Sequence, residues 1–161
     1  MRQILIADND VIVDIFCTLQ ENNINHFRLT MQHLSSMYYE MWIPFEVERE
    51  FINHPIERNN RKRILEKIYN KYQFVKQCPI TVSINEINFE NNSSDEDRGE
   101  TDAILQSQKA TAIPDNRLRF SEIHLFFRDK GAIKRASEKN LSILQYKTFA
   151  IQLREIGVIL P

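Results

Sequence analysis

Residues 2–10, Arg2-Gln3-Ile4-Leu5-Ile6-Ala7-Asp8-Asn9-Asp10, carry the reading on which the fold turns. Ile4 to Ala7 is a continuous apolar run rather than an alternating one, which suits a strand buried on both faces, as in a parallel sheet. The run stops at Asp8-Asn9-Asp10, small polar residues able to cap a following helix. Val11, Ile12, Ile15, Phe16 and Leu19 then recur at helical spacing, and Asn22-Asn23 ends that helix. Strand, polar turn and amphipathic helix make the opening half of a βαβ unit.

The pattern repeats along the chain. A second helix falls within Thr30–Glu40, and Met41-Trp42-Ile43 reads as a short buried strand ended by Pro44, which suits a helix start. A helix over Phe45–Phe51 is broken by His54-Pro55. Arg58–Phe74 is the clearest helix, with Ile64, Leu65, Ile68 and Tyr72 on one side and its cations elsewhere. Asn85–Arg98, rich in Asn, Ser and acids, reads as a mobile polar loop. Gly99–Ala112 is helical again, and Ile123–Phe127 is a third apolar strand. Asp129 leads a helix to about Asn140, Ser142-Ile143-Leu144 forms a last strand, and a helix from about Thr148 to Ile156 closes the chain. Strands alternating with helices predict a single domain, a three-layer α/β/α sandwich with a mainly parallel central sheet.

Composition agrees with one globular domain: 161 residues, 42% hydrophobic and 27% charged, which excludes collagen-like, mucin-like and wholly disordered chains. No apolar run approaches the roughly 18–20 residues of a membrane span. The opening lacks the longer apolar stretch of a signal peptide, and Cys17 and Cys78 have no metal-ligand spacing, so a reducing cytoplasm is the expected compartment. The net charge of −1 gives no bulk case for nucleic-acid binding, but the charge is segregated. Glu57–Lys76 holds seven basic residues against two acidic, whereas Glu86–Asp102 holds seven acidic against Arg98 alone.

Several acids fall just past strands or near helix starts, the edge of an α/β sheet where ligands bind. Asp8 ends the first strand and Asp129 follows the third. Glu50 lies on the helix after the second, in competition with Glu46 and Glu48, and Asp102 lies near the start of the helix after the acidic stretch. Carboxylates converging on one cleft repel one another unless a cation neutralises them, and hard oxygen ligands suit Mg²⁺ or Mn²⁺. Each acid also has a plainer reading. Asp8 and Asp129 can cap helices, and Asp97-Arg98-Gly99-Glu100 has capping-box spacing. The basic helix can be a solvated face.

Four segments resemble the motifs of PIN domains, in family order and across nearly the whole chain: Ile4–Ile12, with its apolar-Asp-x-Asp turn; Ile43–Phe51; Gly99-Glu100-Thr101-Asp102-Ala103-Ile104; and Phe126–Ala132. The resemblance implies a metal-dependent ribonuclease of PIN type, a hydrolase of phosphodiester bonds, with the toxin of a toxin–antitoxin pair among the roles it suggests. It assigns catalysis to Asp8, Glu50, Asp102 and Asp129, and Mg²⁺ or Mn²⁺ binding to Asp8, Asp102 and Asp129 with Glu100 accessory. Asp10 stands where the family usually has Asn or Ser and adds charge to the site. Arg61, Lys62, Lys67 and Lys71 of the basic helix are the candidate RNA contacts. The partners to expect are single-stranded or looped RNA, an antitoxin protein and a second copy of the chain, with no membrane. The alternative is a PIN-like fold whose site no longer cuts and which binds RNA or protein. A phosphoacceptor receiver domain would share the opening strand and acids, but no Asp ends a strand near Phe51-Ile52-Asn53.

Overall fold

The computed structural model describes residues 2–92, 97–112 and 120–161. Strands β1 (Arg2–Ala7), β2 (Glu40–Ile43), β3 (Val75–Gln77), β4 (Phe120–Phe127) and β5 (Ser142–Gln145) form one parallel sheet in the order β3-β2-β1-β4-β5. β1 is central. Ile4 to Ala7 are all fully buried, as a strand covered on both faces requires.

The two faces are separated by the period of two along each strand. Leu5, Ala7, Met41, Ile43, Phe126 and Leu144 face one apolar cluster. That layer is built from α1 (Asn9–Ile12), a π-helix (Val13–Leu19), α3 (Ile24–Met37), α4 (Phe45–Ile52), α5 (Arg58–Lys71) and α9 (Tyr146–Arg154). Ile4, Ile6, Trp42, Ile123, Leu125 and Phe127 face the other cluster, covered by α7 (Arg98–Ala112) and α8 (Lys130–Glu138). The architecture is the expected three-layer α/β/α sandwich. A short α2 (Gln20–Asn22) follows the π-helix, and α6 (Ile84–Glu90) precedes α7.

Val11, Ile12, Ile15, Phe16 and Leu19 are buried as their spacing predicts, although a wider π-helical stretch carries the last three. Two local expectations change. β3 is an unpredicted strand: three residues with only Val75 buried give no pattern long enough to read, and pairing with β2 makes the strand. The stretch expected to be a loop from Asn85 to Arg98 contains helix α6, capped by Ser83, whose hydroxyl accepts the Glu86 N–H, and anchored by buried Ile87. Residues 93–96 of that stretch lie outside those described. Among the described residues no helix is long and apolar enough to cross a membrane.

The strand order sets where a ligand can sit. From β1 the chain moves outward through β2 to β3, then returns to the other side of β1 for β4 and β5. The reversal lies between β1 and β4. A crevice opens beyond the carboxyl ends of strands at such a point.

Candidate metal cleft

β1 ends at Asp8, whose backbone N–H donates to the Phe126 carbonyl at 3.2 Å and so ties the end of β1 to the end of β4. Three residues past Phe126, Asp129 starts α8 with its carboxylate accepting the Ala132 N–H at 2.9 Å. Both acids line one cavity of about 520 Å³ at the β1/β4 reversal. Glu50 joins them from α4 and Glu100 from α7, while Asn9, Asp10 and Asp97 complete the wall. Six carboxylates from separate parts of the chain thus meet at one sheet edge.

The capping alternatives resolve differently. Asp8 makes no side-chain cap to α1, so capping does not explain its burial at 8% exposure. Asp129 caps α8 and faces the cavity as well. Of the three glutamates on α4, only Glu50 lines the cavity. Its carboxylate accepts the Gly99 N–H at 2.8 Å. Glu48 is turned away to Gln77 Nε2 at 2.8 Å, and Glu46 pairs with Arg49 at 3.5 Å. The signal that separates them is helical phase: Val47 and Phe51 are buried, which puts Glu46 and Glu50 on one flank and Glu48 on the other.

Asp102, expected among the site acids, lies elsewhere. It is 1% exposed, does not line the cavity, and accepts the Glu46 backbone N–H at 3.0 Å and Gln106 Nε2 at 2.8 Å. Two residues along a helix turn a side chain by roughly 200°. With Glu100 directed to the cavity, Asp102 points to the start of α4 and holds that helix against α7. The carboxylates that sequence reasoning did not place in the metal set, Asp10 and Asp97, also line the cavity. Asp97 adopts φ 57°, a left-handed conformation that Asp tolerates, just before α7.

The electrostatics follow from burial. Desolvation, reinforced by Asp10, Glu50 and Glu100 and opposed by the Asn9 N–H, pushes Asp8 from 3.8 up to about 7. Burial also raises Glu50 against the Gly99 N–H, and raises Glu100 with help from Asp97 and against Arg135. Arg135 approaches Glu100 at 3.5 Å and donates to Thr101 Oγ1 at 2.8 Å. Asp8, Asp10, Glu50 and Asp129 form no ion pair with Lys or Arg among the described residues. Asn9 adds a buried Oδ1 with no hydrogen-bond partner among the described residues. The donors are all oxygen and the local field is negative, the combination that suits a hard divalent cation.

Among the described residues no three Asp, Glu, His or Cys side chains are drawn together into a ready-made ion cage.

The four proposed RNA contacts on α5 do not share a face. Arg61 donates to the Phe51 carbonyl at 3.0 Å and lies over its ring, and Lys71 lies over Tyr72. Lys67 lines a separate hollow beside the π-helix, together with Arg61. Of the four, only Lys62 lines the groove between α4 and α5. Against known proteins, the chain matches no family model and no curated sequence.

Proposed function

We propose that the cleft binds Mg²⁺ or Mn²⁺ and hydrolyses phosphodiester bonds in RNA, in the manner of the PIN-type ribonucleases that four segments of the sequence resemble. The observation that carries this reading is the gathering of carboxylates, most of them without a cationic partner among the described residues, at the topological reversal between β1 and β4. Asp8, Glu50, Glu100 and Asp129 would hold the metal, with Asp10 and Asp97 at the wall. When bound, the ion supplies Lewis-acid polarisation of a phosphate oxygen and a lowered pKa for an attacking water.

The chain's own groups orient these ligands. The Gly99 N–H fixes Glu50, the Ala132 N–H fixes Asp129, and Arg135 restrains Glu100. Asp8, pushed up to about 7, holds a proton over much of the acid range when no cation is near, and metal must displace it. Metal affinity should therefore weaken as the pH falls below 7.

The deciding experiment is incubation of labelled single-stranded RNA with the protein in Mg²⁺, in Mn²⁺ and in EDTA. Cleavage in either metal and none in EDTA is expected. The metals should also raise the melting temperature, since a ligand at about 100 times its Kd adds about 2.7 kcal/mol to the state that binds it. No cleavage and no thermal shift with either ion would reject the metal site. RNA binding without cleavage would assign the chain to the binding-module reading.

Gly99 offers a test of geometry without removing a ligand. A Cβ there would stand 2.8 Å from Glu50 Oε2, closer than such contacts allow. The carboxylate is the movable end of a side chain, so it yields and the helix does not. Gly99→Ala should leave the melting temperature unchanged or slightly raised, because Ala favours a helix over Gly by up to about 1 kcal/mol. Cleavage should fall by about ten- to a hundredfold, as displaced catalytic groups typically cost. Parallel melting and cleavage assays separate the two effects. Undiminished cleavage would remove Glu50 from the proposed ligand set.

A further inference from the structure

Resting on the nuclease reading, we infer that the groove between α4 and α5 is the entry track for a single RNA strand. In this track Phe45 stacks an unpaired base, and Arg49, Arg58 and Lys62 hold the flanking phosphates. The groove has a volume of about 600 Å³. Phe45 and Arg49 line it from α4, Asn53 from just past that helix, and Arg58 and Lys62 from α5. Helical spacing explains the set: 45 and 49 lie four residues apart on one stripe of α4, and 58 and 62 do so on α5.

The groove runs into the acidic cleft through shared walls. Arg49 and Asn53 also line a smaller hollow with Glu46 and Glu50, and Glu50 in turn lines the metal cleft. One stripe of α4 thus faces the cationic groove and the adjacent stripe faces the acids.

Three features identify the occupant. The acidic cleft repels a phosphate backbone, so a strand can reach it only where neighbouring cations offset that repulsion. Arg58 and Lys62 form no ion pair among the described residues, and Arg49 is 56% exposed beyond its contact with Glu46. The groove's own acid, Glu48, is engaged by Gln77 and Tyr69. Phe45 is 70% exposed at the first turn of α4, although its neighbours Pro44 and Glu46 are buried. An exposed ring beside cations is the pairing that single-stranded nucleic acids use, since an unpaired base offers its face and a duplex does not. On the other faces of α5 the cations already lie over rings of the chain itself, Arg61 over buried Phe51 and Lys71 over half-buried Tyr72.

The test measures binding of a short labelled oligouridylate to the full-length protein in EDTA across a salt series, with Mg²⁺-dependent cleavage by the parent assayed in parallel. Phe45→Ala should weaken single-strand binding by about 5- to 150-fold, the range for loss of one base–aromatic stack. It should leave binding of a duplex of the same length unchanged. Replacing Arg49, Arg58 and Lys62 together with Gln should lower the salt slope by about 2, at about 0.7 per phosphate contact. A charge-matched control replacing Lys67, Lys71 and Arg154 with Gln should not change the slope beyond general screening. All the substituted side chains are exposed or half-exposed, and circular dichroism would confirm that each variant folds. Equal losses in the groove and control variants, an unchanged Phe45→Ala affinity, or no RNA binding by the parent would each overturn the track. Weakened groove variants with no cleavage by the parent would keep the track and reject the nuclease. Cleavage with unaltered groove variants would do the reverse.

Discussion

Replacing Asp8 with Asn should lower metal-dependent RNA cleavage by at least about a hundredfold and, in EDTA at neutral pH, make the protein more stable. The first effect follows from losing a charged ligand whose role is to hold the activating ion, a loss larger than the roughly 10- to 100-fold typical of outer-shell changes. The second follows from burial. Asp8 is 8% exposed, and desolvation lifts it from 3.8 to about 7 in the folded state. Between those two pH values the folded chain holds a proton that the unfolded chain has released. The parent's stability therefore falls as the pH rises from about 4 to about 7, by up to about 4 kcal/mol from this group at 1.36 kcal/mol per pH unit. Asn does not titrate. Melting curves in EDTA should show the parent losing stability over that window while Asp8→Asn declines less, with the variant the more stable above pH 7. Adding Mg²⁺ should then raise the parent and leave the variant nearly unmoved. Parallel pH profiles would show that Asp8 is not a desolvated carboxylate, and an equal metal response would show that it is not a ligand.

Asp102→Ala should produce the opposite pattern, a large loss of stability with the metal response kept. Its two oxygens satisfy the Glu46 N–H and the Gln106 amide in a site 1% exposed, and Ala strands both donors. Each buried donor left unpaired costs about 1–3 kcal/mol, so a net loss of about 2–4 kcal/mol is expected. In a domain of this size that is a drop of about 5–15 °C in Tm. The deficit should shrink as the pH rises from about 4 to about 6. Desolvation raises Asp102 from 3.8 to about 6 against its two hydrogen-bond donors, so the parent's own advantage fades over that window. Where the variant is folded, Mg²⁺ should raise its Tm as much as it raises the parent's. A lost metal response in Asp102→Ala, matching that of Asp8→Asn, would return Asp102 to the ligand set that the motif resemblance gave it.

What the sequence by itself determined was whatever depends on neighbours along the chain. The unbroken run Ile4-Leu5-Ile6-Ala7 suits a strand covered on both faces, and it is one. The spacing of Val11, Ile12, Ile15, Phe16 and Leu19 fixed a helical face. Strand followed by acid then placed Asp8 and Asp129 at sheet ends. Tertiary structure decided what depends on rotation and on distant pairing. Val75–Gln77 became a strand only because β2 offered it backbone partners, and the β1/β4 reversal that opens the cleft exists only in the strand order. The rotation of α7 sent Glu100 to the cavity and Asp102 to the start of α4. The rotation of α5 dispersed Arg61, Lys62, Lys67 and Lys71 over different surroundings. A helix announces its buried stripe through its apolar residues. Which flank of that stripe meets a cleft is fixed only by the element packed beside it.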